Sequence, residues 1–219
     1  MFREFFQVWK KTGLLNEAVK EVEEMLLVAK NMFNFSLRVL MDKEKEKEDI
    51  YQIDQQLNEL QINVRRKILE HLSISPQQDV TSCLILITIV IDVERIGDYS
   101  KNLIELSHKY PHRLEGKYIE RIRGIEKEIA ELFDETINAF KDADIQLGKE
   151  VMERHARLAP LCEKIVEDLV EDAGISSKMG IVCALLARHL KRVSAHLKNI
   201  ASGVVNPFHR LGYKPKNWG

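Results

Sequence analysis

The stretch Asp92-Val93-Glu94-Arg95-Ile96-Gly97-Asp98-Tyr99-Ser100-Lys101-Asn102 follows an eleven-residue, almost wholly apolar run from Thr81 to Ile91 and continues the same helix. Positions three and four apart share one face of a helix. Leu84, Ile87 and Ile91 therefore mark the buried face, and the next steps land on Glu94, Asp98 and Asn102. Hydrocarbon gives way to carboxylate without leaving the core side. Two acids one turn apart repel, and burying either without a counter-charge is costly. Something positive must sit there.

Two readings of that stripe stand side by side. In one, Glu94 and Asp98 are neutralised by a neighbouring helix, with Arg65, Arg66 and Lys67 in reach, or they are simply exposed. In the other, a divalent or trivalent metal ion is held by carboxylates from two or three helices, since hard cations prefer oxygen ligands. Asp54 and Asp79 are then further candidates to complete the shell, unless each is an ordinary surface acid.

Outward from this stretch, apolar residues recur with helical period in six segments. The first runs from about Leu14 to Met41 with Leu15, Ala18, Val22, Met25, Ala29, Met32 and Leu40 on one side. After a charged run, Asp42 to Asp49, the second carries Ile53, Leu57, Leu60, Val64, Ile68 and Leu72. Ser75-Pro76 is expected to open the third, which ends before Pro111. The tract Pro111 to Gly116 separates two halves. Ile119, Ile122, Ile129, Phe133, Ile137 and Phe140 mark the fourth helix. Leu147, Val151, Leu158, Leu161, Ile165 and Leu169 mark the fifth, where Pro160 is expected to kink or interrupt it. The sixth runs from about Ser176 to Val205.

A shift of 97 residues lays Arg95 on Arg192, Ile96 on Val193 and Asn102 on Asn199, at matching points of the third and sixth helices. The expected fold is all-α: two repeated three-helix bundles, six long helices in all, packed side by side. The expected organisation is an amphipathic segment over 1–13, repeat 1 over 14–110, repeat 2 over 117–205 and a non-helical tail over 206–219.

Composition narrows the function. The 33 basic and 34 acidic residues nearly cancel at net −1, so no electrostatic footprint for nucleic acid is present. The longest apolar run falls well short of a bilayer span. Cys83, Cys162 and Cys183 lack metal or disulfide spacing and read as buried thiols in a reducing, cytoplasmic setting.

The string Glu94-Arg95-Ile96-Gly97-Asp98, then three residues and Asn102, on the last helix of a three-helix repeat, resembles the signature of the PhoU family of phosphate-uptake regulators. The resemblance implies a metal at the Glu94 and Asp98 positions, with iron, zinc or magnesium as the ion. It also implies a non-enzymatic regulator that contacts a phosphate ABC transporter or the sensor kinase of phosphate-starvation genes. A homodimer is expected. The alternative is a carboxylate-bridged metalloprotein, for metal storage or of the di-iron enzyme kind. A di-iron site needs two Glu-x-x-His units, and Glu105-Leu106-Ser107-His108 stands without a twin.

The second repeat departs from the family pattern. Its string is Lys191-Arg192-Val193-Ser194-Ala195, so lysine and alanine replace the two acids, with Arg188 one turn earlier. A metal is therefore expected at repeat 1 only. Glu131, Glu135 or Glu163 is expected to pair with Lys191 and Arg188. His189 and His196 read as packing or surface residues. The aromatic segment Met1 to Lys11 is expected to form a short helix laid against the bundle or a dimer mate, or else to dock on a membrane surface or a transporter's cytoplasmic face. The tail from Pro207 to Trp218 is expected to pack on its own chain or on a partner.

Overall fold

The computed structural model describes residues 13–214. The aromatic N-terminal segment and Trp218, for which docking was expected, lie outside the described residues. Among those described there are six long helices: α1 Gly13–Leu37, α2 Ile50–Ile74, α3 Val80–Lys109, α4 Lys117–Asp142, α5 Ile145–Glu171 and α6 Ser177–Val205. A π-helical turn, Arg38–Asp42, closes α1, and a short 3-10 turn, Phe208–Arg210, follows α6.

Local chemistry sets several of these boundaries. Asp49 accepts from the Tyr51 amide at 2.9 Å, Asp144 from Gln146 and Leu147, and Ser176 from Met179, each capping orphan donors at a helix start. Pro76 does not open α3 as expected. It lies in a turn closed by the Gln78 amide donating to the Ser75 carbonyl at 3.0 Å, and α3 begins only after Asp79 in a left-handed conformation. Proline suits the second position of such a turn as well as it suits a first helical turn. Pro160 does not interrupt α5, which is continuous across it. The proline is on the exposed side, where its missing donor leaves the Ala156 carbonyl to water.

α1, α2 and α3 pack on one another, as do α4, α5 and α6. The halves meet along α3 and α6 and, beneath them, along α1 and α4. Phe33 of α1 and Phe133 of α4 are fully buried with ring centroids 5.4 Å apart, joining the halves through one continuous core. Burying each ring stabilises the fold by about 1.5–3 kcal/mol. The expected α1 stripe is buried throughout. Leu161, expected in the core of α5, is exposed instead.

α3 corrects the sequence reading most. Leu84 and Ile91 are 37% and 41% exposed, and the buried line runs through Cys83, Leu86, Val90, Val93 and Gly97. With α1, α2 and α6 all against it, α3 is apolar on three sides. Periodicity cannot name the fourth side of such a helix.

The described tail packs on its own chain. Lys198 donates to the Gly212 carbonyl at 2.8 Å, the Gly212 amide donates to Ser202 at 2.7 Å, and Asn206 donates to the carbonyls of Arg210 and Tyr213.

Candidate functional site

Glu94 and Asp98 lie at the flank of the α2–α3 contact, with side chains 21% and 31% exposed. Gly97, between them, lets α2 come close: a Cβ there would stand 2.6 Å from Leu57 and 3.7 Å from the Asp54 carboxylate. Asp54 is buried on α2. The positive group demanded by the acids comes from the signature helix itself. The Lys101 ammonium lies 2.8 Å from Asp54 and 3.0 Å from Asp98, and Arg95 reaches Asp98 at 2.9 Å. Burial alone would lower the Lys101 pKa, but its bonds to Asp54 and Asp98 outweigh that and hold it raised. Glu94 is left the least compensated: burial, then the charge of Asp98, push its carboxyl pKa up against the pull of Arg95.

Two of the expected neutralisers on α2 are engaged elsewhere, and the third, Arg65, makes no ion pair with Glu94 or Asp98 among the described residues. Lys67 pairs with Glu17 and Glu21 at 3.0 Å each, and Arg66 donates to Asn63. Asp79 is not part of the cluster. It precedes α3 and faces His71 at 3.4 Å, and the fifteen residues to Glu94 place it roughly 20 Å along the helix. His108 of the Glu-x-x-His unit pairs with Glu46 at 2.7 Å, while Glu105 accepts from Tyr51.

These donors do not make a ligand set for a metal ion. Among the described residues no three His, Cys, Asp or Glu side chains converge closely enough to hold one. The Lys101 ammonium stands between Asp54 and Asp98, where a cation would be bound. The metal expectation therefore rests on resemblance alone.

At the equivalent place in repeat 2 the polarity is reversed. Lys191 pairs with Glu163, as expected, but Glu131 and Glu135 pair with Arg154 rather than with Lys191 or Arg188. Ser194, the counterpart of Gly97, lies 3.0 Å from His155 Nδ1. Burial, then the charges of Lys198 and Lys191, depress the His155 pKa to about 4.

The sequence reading missed the seam between the repeats. Asp92 of α3 lies 2.6 Å from His196 Nδ1 and accepts from Asn199 at 2.9 Å. Tyr99 lies against His189 and His196, and its hydroxyl accepts from Arg192 Nε at 3.0 Å. Position 92 faces 196 while 99 faces 189, so α3 and α6 run antiparallel. Both pairs obey the 97-residue shift, so a local two-fold relates the two halves of the seam. Gly203 permits the close approach, since a Cβ there would lie 2.9 Å from Ile89.

Fold and seam together define a tandem three-helix-bundle protein whose repeats are joined through their signature helices. A family model described as the PhoU domain matches residues 22–107 and 122–204. The chain belongs to the PhoU family. It is similar to a protein of Synechocystis named phosphate-specific transport system accessory protein PhoU homolog, at 22% identity over 86% of this chain and 88% of that one. It is similar to a protein of the same name from Pseudomonas aeruginosa, at 26% identity over 87% and 83%. Its fold matches the crystal structure of PhoU from Pseudomonas aeruginosa with a TM-score of 0.74 and 21% identity, over 87% of this chain and 95% of that one.

Proposed function

We propose that this chain regulates phosphate uptake and phosphate signalling without catalysing a reaction, as a cytoplasmic adaptor to a phosphate ABC transporter, a sensor kinase, or both. The observation that carries this reading is the PhoU family match across both repeats, shared with relatives named as accessory proteins of phosphate-specific transport. The architecture suits an adaptor: long helices side by side present broad faces, and the polar seam fixes their relative position. No helix among the described residues is long and apolar enough to cross a membrane, which is compatible with a partner that docks on a membrane system. The three cysteines are free and buried, each with its thiol pKa pushed up to about 11, chiefly by burial, as suits inert thiols in a reducing compartment.

The test is binding of the purified chain to the cytoplasmic parts of the transporter and of the kinase, immobilised separately. Saturable binding to at least one is expected. Binding to neither would remove the adaptor reading.

A further inference from the structure

Among the described residues, each signature helix has three long helical neighbours and one side that no long helix covers. α3 contacts α1, α2 and α6, while α6 contacts α4, α5 and α3. Because α1 and α4 lie together beneath the pair, both such sides face the same way. On α3 that side carries Leu84, Ile91 and Arg95; on α6, related by the same 97-residue shift, it carries Ile181, Arg188 and Arg192, with Leu185 beside them. The four apolar residues are 37% to 59% exposed and share one face with the arginines.

The antiparallel crossing orders these residues along one plate. Leu84 and Ile91 lie at one end, Ile181 and Leu185 at the other, and the arginines fill the middle. Arg95 is committed to Asp98, whereas among the described residues no acid pairs with Arg188 or Arg192. Arg192 spends only its Nε, on Tyr99. From Leu84 to Ile181 the plate spans roughly 35 Å, the length of a helix of about 23 residues.

We infer that this plate is the docking face for an acidic amphipathic helix of a partner protein, with carboxylates at its centre and apolar residues toward both ends. The inference rests on the adaptor reading and names the chemistry of what is bound. Charge decides among occupants. A second copy of the chain would set arginine against arginine. A flat anionic membrane would also meet the acids Glu94, Asp98 and Glu163 that border the plate. A single helix is narrow enough to lie between those borders, its acids on two arginines that pair with no acid among the described residues.

The test is fluorescence anisotropy of the full chain with a labelled 24-residue helical peptide bearing glutamates at its centre and leucines near both ends, against the same peptide with central lysines. The glutamate peptide should bind at least tenfold more tightly. Arg188→Glu/Arg192→Glu should reverse that preference, and Leu84→Gln/Leu185→Gln should weaken binding severalfold. All four positions are exposed, so the fold should persist, as circular dichroism would verify. Equal binding of the two peptides, parental binding by the arginine variant, or arginine-dependent binding to phosphatidylglycerol vesicles in preference to the peptide would overturn the inference. Capture of transporter or kinase fragments at the parental level by the arginine variant would overturn this face and leave the adaptor reading intact. No capture by the parent itself would bring down both.

Discussion

Asp92 and His196 are 104 residues apart in sequence, yet their side chains meet at 2.6 Å across the repeat seam. Both are largely buried, at 14% and 10% exposure, and Asn199 adds a second donor to the same carboxylate oxygen. Removing the carboxylate strands one buried and one half-buried donor, a loss of about 1–3 kcal/mol. Asp92→Ala should therefore lower stability by that amount in urea denaturation. A change under about 0.5 kcal/mol would mean that the seam is held by its apolar contacts alone.

Lys101 neutralises Asp54 and Asp98 from within the signature. Lys101→Met should destabilise the chain by about 2 kcal/mol, since it leaves the buried Asp54 without its cation and Asp98 with Arg95 alone. The same substitution frees those oxygens, so affinity for manganese or zinc should rise at least tenfold over the parent in isothermal titration. Parental affinity that is already tight, and abolished by Glu94→Gln/Asp98→Asn, would show that a metal displaces the lysine.

Glu94 titrates in the opposite sense from an ordinary paired acid. Its folded pKa is raised by burial and by Asp98 above the ordinary value of 4.5. Its contribution to stability is thus fully present below that value and lost as pH rises through the folded pKa. Glu94→Gln should unfold at a higher temperature than the parent at pH 7, with the difference shrinking toward pH 4. Calorimetry across that range tests the sign.

His155 works the other way round. Its folded pKa lies near 4, below the ordinary 6.5, so its contribution is present above pH 6.5 and is lost as pH falls toward 4. His155→Asn keeps a polar group near Ser194 and removes the titration. The denaturation midpoint of the variant should depend less on pH than that of the parent between those limits.

Gly97 admits Leu57. Alanine there gains about 1 kcal/mol of helix propensity but overpacks a fully buried side chain, at about 1–3 kcal/mol. Gly97→Ala should be neutral to about 2 kcal/mol less stable, by equilibrium denaturation. A clear gain in stability would show that Leu57 can rotate away.

The repeats were legible because their helices alternate apolar and polar residues over many turns; Val22, Met25, Ala29 and Met32 could face only one way. α3 was not, because a helix with three neighbours is apolar on three sides and its period carries no direction. That is why Leu84 and Ile91 read as core. The charge reversal from Glu94 to Lys191 was also visible in sequence, whereas Glu163 was only one of three acids offered to Lys191, and the other two, Glu131 and Glu135, pair with Arg154. The partner of the acids was not legible because Lys101 lies within the same motif, whereas a buried acid ordinarily finds its cation on a neighbouring helix. The seam was missed because Asp92 and His196 signal nothing until α3 and α6 are known to cross.

The opposed charges at Glu94 and Lys191 give an otherwise near-symmetrical molecule a direction. A visitor lying along its length meets Glu94 and Asp98 in one half and Lys191 with its partner Glu163 in the other, and turning it end for end exchanges them. The duplication thus lost its interchangeability and gained a compass: a chain built with its halves in reverse order should keep its shape and misread its guest.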